Sequence, residues 1–160
     1  MSRLYSPWTM QGDTTNTRLA LEFPDVMTVN TGTLTDGVVA DVATIGGTVV
    51  DVNEVVDTPG FDIVFDWAGV VGVPTGIRIA AYYAGGANHS PTVDLYDYVA
   101  AGFVTLEGLY DATAMHTFHL PANKNFVSAG AMQLRFYHAS GGNGTHHMWI
   151  DYIAAEMWRE

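Results

Sequence analysis

Apolar and polar residues alternate with period two along several short runs of this chain. The clearest is Met132-Gln133-Leu134-Arg135-Phe136-Tyr137-His138. Successive side chains of a strand point to opposite faces. Met132, Leu134, Phe136 and His138 therefore share one face, and Gln133, Arg135 and Tyr137 the other. A second run, over residues 146–155, sets Met148, Ile150, Tyr152 and Ala154 against Trp149, Asp151, Ile153 and Ala155. Between them lies Ala139-Ser140-Gly141-Gly142-Asn143-Gly144, whose glycines and Asn-Gly pair tolerate positive φ. The pattern predicts an antiparallel β-hairpin whose arms are two central strands of a sandwich.

The same reading runs through the rest of the chain. Residues 37–45 and 48–56 read as strands separated by Gly46-Gly47, and Asp57-Thr58-Pro59-Gly60 is a strong turn signal. In residues 61–67, Phe61, Ile63, Phe65 and Trp67 share one face while Asp62 and Asp66 point the other way. Further runs at 77–83, 92–98, 103–110 and 116–120 are bounded by glycine and proline. Val93, Leu95 and Asp97 fall on one side of theirs. About nine short strands without a helix indicate an all-β protein, an antiparallel β-sandwich of jelly-roll type. Phe65, Trp67, Phe136 and Ile150 are expected to face its core. No period of repeat length appears.

Residues 1–30 differ. The polar stretch Gln11-Gly12-Asp13-Thr14-Thr15-Asn16-Thr17 has no sustained period, and residues 18–24 offer at most one short strand. This segment is expected to be an extended N-terminal arm, with residues 31–160 forming the sandwich domain. Trp8, Leu19, Leu21 and Phe23 are too apolar for a solvated tail and are the expected partner-binding anchors of that arm.

Composition narrows the function. The chain has 160 residues, a net charge of −11 and only six Lys plus Arg, which excludes a basic footprint for nucleic acid or an anionic membrane. It has no cysteine, so no disulfide or thiolate chemistry is available. The first eight residues lack the apolar core of a signal peptide, and no apolar run approaches the roughly 18 residues of a membrane helix. The expectation is a product of the cytoplasm.

Candidate chemistry is sparse. Of six histidines, the adjacent His146 and His147 face opposite sides of a strand, as do His116 and His119; His138 can approach His146 or His147 across the turn. A zinc site needs three or four ligands close together, and the spacing favours packing and hydrogen bonding over ligation. Asp94, Asp97 and Asp111, or Asp57, Asp62 and Asp66, are oxygen-rich groups of the kind calcium accepts. They lack the D-x-D-x-D-G spacing, and solvated strand faces explain them equally well. The same carboxylates are the candidates for a glycosidase pair, whose separation a sequence does not supply. There is no Gly-x-Ser-x-Gly elbow and no phosphate loop, and the lone Lys124 sits in a polar turn. Asn88-His89-Ser90 matches a glycosylation acceptor, weakened by Pro91. The reading is therefore no enzyme and no cofactor, with a structural calcium on these carboxylates kept as the lesser alternative. Tyr82, Tyr83, Tyr96, Tyr98, Tyr110 and Tyr137 could instead form a platform on which sugars stack, or fill core and interfaces.

Several stretches resemble a jelly-roll module of tailed-bacteriophage virion proteins. They are Glu54 leading into Pro59-Gly60-Phe61-Asp62-Ile63, then Gly76-Ile77-Arg78-Ile79-Ala80-Ala81-Tyr82-Tyr83 and Val93-Asp94-Leu95-Tyr96-Asp97-Tyr98. Leu134-Arg135-Phe136-Tyr137-His138, Gly142-Asn143-Gly144-Thr145-His146 and Ile150-Asp151-Tyr152 complete the pattern. The resemblance spans roughly residues 48–154. It implies a non-enzymatic homo-oligomer, typically a trimer, of the head decoration or head fibre kind. Such a protein would bind the major capsid protein or other virion proteins, and would be assembled into the virion in a bacterial cytoplasm. The expected function is capsid decoration. The alternative is a carbohydrate-binding β-sandwich module of a receptor-binding fibre or glycosidase, with a glycan as partner.

Overall fold

A computed structural model of the chain describes residues 18–86, 88–109 and 114–159. Among them eleven strands and two short 3₁₀ turns build two antiparallel sheets packed face to face, an all-β sandwich of jelly-roll type. The strands are β1 (Arg18–Glu22), β2 (Val26–Thr31), β3 (Thr33–Asp36), β4 (Val50–Asn53), β5 (Phe61–Trp67), β6 (Val73–Ala84), β7 (Thr92–Asp97), β8 (Gly102–Gly108), β9 (His116–Pro121), β10 (Met132–His138) and β11 (His147–Arg159). Sheet I runs β3-β4-β11-β6-β9, with β1 also paired to β11; sheet II runs β2-β5-β10-β7-β8.

Period-two burial is cleanest in β5 and β10, the strands with the clearest alternation. Phe61, Ile63, Phe65 and Trp67 meet Met132, Leu134 and Phe136 in one apolar layer, with the Phe65 and Phe136 rings edge-on at 6.0 Å. Sheet I opposes them with Val50, Val52, Ile77, Ile79, Tyr83, Met148, Ile150 and Met157. Burying each such side chain contributes on the order of 1.5–3 kcal/mol, so the expected core residues Phe65, Trp67, Phe136 and Ile150 are inward as the pattern requires.

The 132–155 stretch departs from the predicted hairpin. Its two strands are central, but they do not pair. β10 lies in sheet II between β5 and β7, whereas β11 lies in sheet I between β4 and β6. The glycine-rich turn carries the chain across the sandwich. A turn sequence encodes a reversal of direction, not the sheet in which the returning strand finds partners. The faces of β11 also switch: a register shift between Ile150 and Tyr152 leaves Met148 and Ile150 buried, then Ile153, Ala155 and Met157. A bulge inserts one residue and inverts every later position.

Two other expectations are corrected. Residues 37–45 form a 3₁₀ turn at Val39–Ala43, not a strand, because the Asp41 carboxylate accepts from the Val38 N–H at 2.7 Å and closes the chain on itself. Residues 18–30 are not an arm. β1 pairs with β11 over five positions, and β2 pairs with β5. The Trp67 indole donates to the Glu22 carbonyl at 3.0 Å. The domain thus includes this segment, whose backbone groups satisfy sheet edges that would otherwise be open. Leu19 and Leu21 are β1 residues with exposed side chains, Phe23 follows the strand and is exposed as well, and Trp8 lies outside the described residues.

Candidate ligand face and a buried histidine cluster

The register of sheet II fixes which side chains share its outer face. Tyr137 stands opposite Asp62 and Thr92; Arg135 stands opposite Val64 and Asp94; Gln133 stands opposite Asp66. Asp94 is followed outward by Thr105, and Tyr96 by Phe103. The inner positions of these strands are held by the core, so the outer ones are aimed without choice.

Arg135 is the centre of this face. Its guanidinium lies between two rings, 4.1 Å from the centroid of Phe103 and 4.0 Å from that of Tyr137. Its Nε and Nη2 donate to one oxygen of the buried Asp94 carboxylate, at 3.1 and 2.7 Å, while the Thr105 hydroxyl donates to the other at 2.9 Å. Rings above and below and a carboxylate at the edge leave the guanidinium one orientation. Around it, Tyr96 packs edge-on to Phe103 at 5.2 Å and to Tyr98 at 5.0 Å. The Gln133 amide donates to Asp66 at 2.6 Å, and the Asn30 amide donates to Asp62 at 3.3 Å. Burial, then the nearby charge of Asp66 and the Tyr96 hydroxyl, pushes the Tyr98 phenol up, so it stays protonated as a donor.

The outer face of sheet I carries a smaller aromatic pair. Tyr82 and Trp149 meet edge-on at 4.5 Å, His147 lies 5.3 Å from Trp149, and its Nδ1 is 2.9 Å from Asp51. Of the six tyrosines that could form a platform or fill core and interfaces, Tyr96, Tyr98 and Tyr137 converge on sheet II and Tyr82 is on sheet I. Tyr83 is in the core, and Tyr110 lies outside the described residues. Phe103 and Arg135 were not read as site residues. No spacing connects them to the tyrosines, because they meet only through the pairing of β7 with β8 and β10.

At one end of the sandwich three histidines converge on Glu54, which follows β4. His138 Nδ1 lies 2.6 Å from Oε1, and His146 Nδ1 lies 3.1 Å from Oε2. His89 Nδ1, from the loop after β6, lies 3.6 Å from Oε2. The Tyr83 hydroxyl donates to Oε1 at 2.8 Å and the Asn143 N–H donates to Oε2 at 2.8 Å. Burial alone would raise the Glu54 pKa. The Asn143 and Tyr83 hydrogen bonds, with the charges of His138 and His89, outweigh it and hold the carboxyl below its usual range. Burial pushes His138 down, against the pull of Glu54. Side chains at Gly60 and Gly142 would close this space: a Cβ on Gly60 would lie 2.7 Å from His138 Nδ1, and one on Gly142 would lie 2.6 Å from Glu54 Cβ. The approach of His138 to His146 was legible across the turn. Glu54 and His89, far away in sequence, were not read as members.

The remaining candidates are dispersed. Asp97 caps the Val99 and Ala100 amides, at 2.8 and 2.9 Å. Asp62, Asp66 and Asp94 are engaged on sheet II as described, and Asp111 lies outside the described residues. His119 and Arg78 both meet the buried Glu156, His119 at 2.8 Å. His116 is exposed.

No family model and no curated protein matches the chain. Solved structures similar to the chain include family 29 carbohydrate-binding modules. A variant of one aligns with a TM-score of 0.56 at 12% identity, over 87% of this chain and 93% of that one. A variant complexed with cellulohexaose gives 0.53 at 12% identity, over 82% and 92%. Another, complexed with mannohexaose, gives 0.51 at 13% identity, over 87% and 92%. At such identity the likeness shows a shared fold.

Proposed function

We propose that this chain is a carbohydrate-binding module that holds a neutral glycan on the outer face of sheet II without turning it over. The observation that carries the reading is the convergence of Tyr96, Tyr98, Phe103 and Tyr137 around a guanidinium clamped by Asp94. A pyranose has an apolar C–H face and a rim of hydroxyls that donate and accept. Half-buried aromatic rings suit the first; the fixed planar groups of Arg135, Gln133, Asp66 and Asp62 suit the second. Rigid aromatic and ion-paired side chains lose little entropy on binding. The solved neighbours complexed with cellulohexaose and mannohexaose support the class of ligand. A net charge of −11 disfavours polyanionic glycans.

The test is calorimetry with cellulohexaose, mannohexaose and a broader glycan array, beside an assay for released reducing ends. Binding without release is expected, and Tyr137→Ala should weaken it at least tenfold. A Trp149→Ala variant that loses binding while Tyr137→Ala retains it would move the site to sheet I. Failure of every glycan to bind would end the reading.

A second reading, capsid decoration by an oligomer, draws on one specific feature. Leu19, Trp158 and Val73 stand opposite one another across β1, β11 and β6 and are each exposed by over two-fifths, at 43%, 46% and 46%. Such a row is a docking strip for a second copy or a capsid protein. Light scattering on wild type and Leu19→Ser/Trp158→Ser separates the readings. An oligomer that the double variant dissolves supports this one, and a monomer at every concentration counts against it.

A further inference from the structure

The four segments around Glu54 come from both sheets. Glu54 follows β4 in sheet I, His89 lies in the loop joining β6 to β7, His138 ends β10 in sheet II, and His146 immediately precedes β11. The donor atoms of Glu54, His89 and His138 all lie within 4.8 Å of one another. Glu54 has no exposed side-chain surface and His138 only 3%. The His89 and His138 Nδ1 atoms are shielded from solvent, and the His89 Nδ1 is in no hydrogen bond with any described residue. The His138 Nδ1 is 2.6 Å from a carboxylate oxygen of Glu54. Donor atoms around one ion crowd together in this way. For zinc bonds of 2.0–2.1 Å at tetrahedral angles, neighbouring donors lie about 3.3 Å apart. The carboxylate–imidazole separations, 2.6 Å to one oxygen and 3.1 and 3.6 Å to the other, lie around that value, and the wider 4.8 Å span of the set requires the side chains to close in on the ion.

We propose that Glu54, His89 and His138 bind one divalent transition-metal ion of the zinc class, with His146 placed to complete the set. Imidazole nitrogens with one carboxylate suit zinc, whereas calcium takes oxygen ligands. The carboxylate is already oriented by the Tyr83 hydroxyl and the Asn143 N–H, the outer contacts that metal ligands need. His89 and His146 retain 22% and 18% of their side-chain surface, which gives an ion a way in. The backbone is stitched to the same place: Glu54 N–H donates to the His146 carbonyl at 3.0 Å, and Gly60 N–H donates to the His138 carbonyl at 2.9 Å. An ion here ties both sheets together at one end of the sandwich, so its role is structural, and binding to the folded state alone raises stability by mass action. The ligands lie on the inner side and end loops, so the inference is independent of glycan binding on sheet II.

The test uses the full chain, stripped with a chelator and titrated with zinc chloride, calcium chloride or cobalt(II) chloride alone. One zinc per chain, no calcium, and a melting point that rises with zinc are expected. Cobalt(II) should give the intense visible bands of a four-coordinate nitrogen–oxygen site. H89Q, in an end loop, should bind zinc at least tenfold more weakly and lose the thermal shift, and H146Q should do so to a smaller degree. Absence of stoichiometric zinc in the reloaded wild type would overturn the proposal. So would weak six-coordinate cobalt bands, or unchanged zinc affinity in folded H89Q and H146Q, which would place the ion on His116, His119 or His147.

Discussion

Removing the Asp94 carboxylate tests the centre of the candidate glycan face. Asp94 is 2% exposed and accepts three hydrogen bonds, two from Arg135 and one from Thr105. Asp94→Ala deletes all three and leaves a guanidinium between Phe103 and Tyr137 without its counter-charge. Breaking a fully buried pair costs about 3–5 kcal/mol, and an exposed pair under about 1. The Arg135 side chain keeps 20% of its surface, so water recovers part of the loss, and about 2–3 kcal/mol is expected. For a domain of this size each kcal/mol shifts the melting point by about 2–4 °C, giving a fall of about 4–12 °C in a protein that still folds at room temperature. Urea melts of wild type, Asp94→Ala, Arg135→Met and the double variant close a cycle whose coupling should lie near 1–3 kcal/mol. Affinity for the bound glycan should fall at least tenfold, because the fork is no longer held in one orientation. A loss under about 0.5 kcal/mol with no coupling would show that the two rings alone hold Arg135. Full glycan affinity in a destabilised Asp94→Ala would remove Arg135 from the site.

Phe136→Ala, in the centre of the core against Phe65, should cost about 3–5 kcal/mol in a denaturant melt; a cost below about 1 would mean the packing described for β10 is wrong. Deleting residues 1–31 should abolish the cooperative transition followed by circular dichroism, because β1 and β2 pair with β11 and β5; an intact melt would restore the arm. Burial alone would raise the Glu156 pKa above its ordinary 4.5, but the His119 and Arg78 hydrogen bonds and charges hold it lower. A depressed carboxylate contributes stability that is fully present above its unfolded pKa and is lost as pH falls through the folded value. Wild type should therefore lose more stability than Glu156→Gln between neutral pH and about pH 3, and parallel acid limbs for the two would contradict this.

The strands legible from sequence were those with one face in the core and one in water. Phe61 to Trp67 and Met132 to His138 carry that contrast residue by residue, because burial on one side of a pleat imposes period two whatever the strand pairs with. Val39 to Ala43 is apolar and β-branched, yet the Asp41 carboxylate three residues from Val38 turned it into a 3₁₀ coil, a local bond that outweighed propensity. Leu19 and Leu21 read as sticky because they are apolar and exposed. Only the pairing of Arg18–Glu22 with β11 shows that their backbone belongs to the sheet.

By itself the sequence determined the sandwich, the inward set of β5 and β10, and a polar, aromatic outer surface without a basic footprint. These follow from composition and from alternation along single strands. Tertiary structure decided that the turn after His138 crosses between sheets instead of closing a hairpin, that a bulge near Asp151 inverts the rest of β11, and that Phe103 lies against Arg135. It also brought Glu54, His89, His138 and His146 to one point from four segments. Such meetings depend on strand order and register, and those are set by long-range hydrogen bonding and packing across hundreds of square ångströms of shared apolar surface. No interval along the chain encodes them.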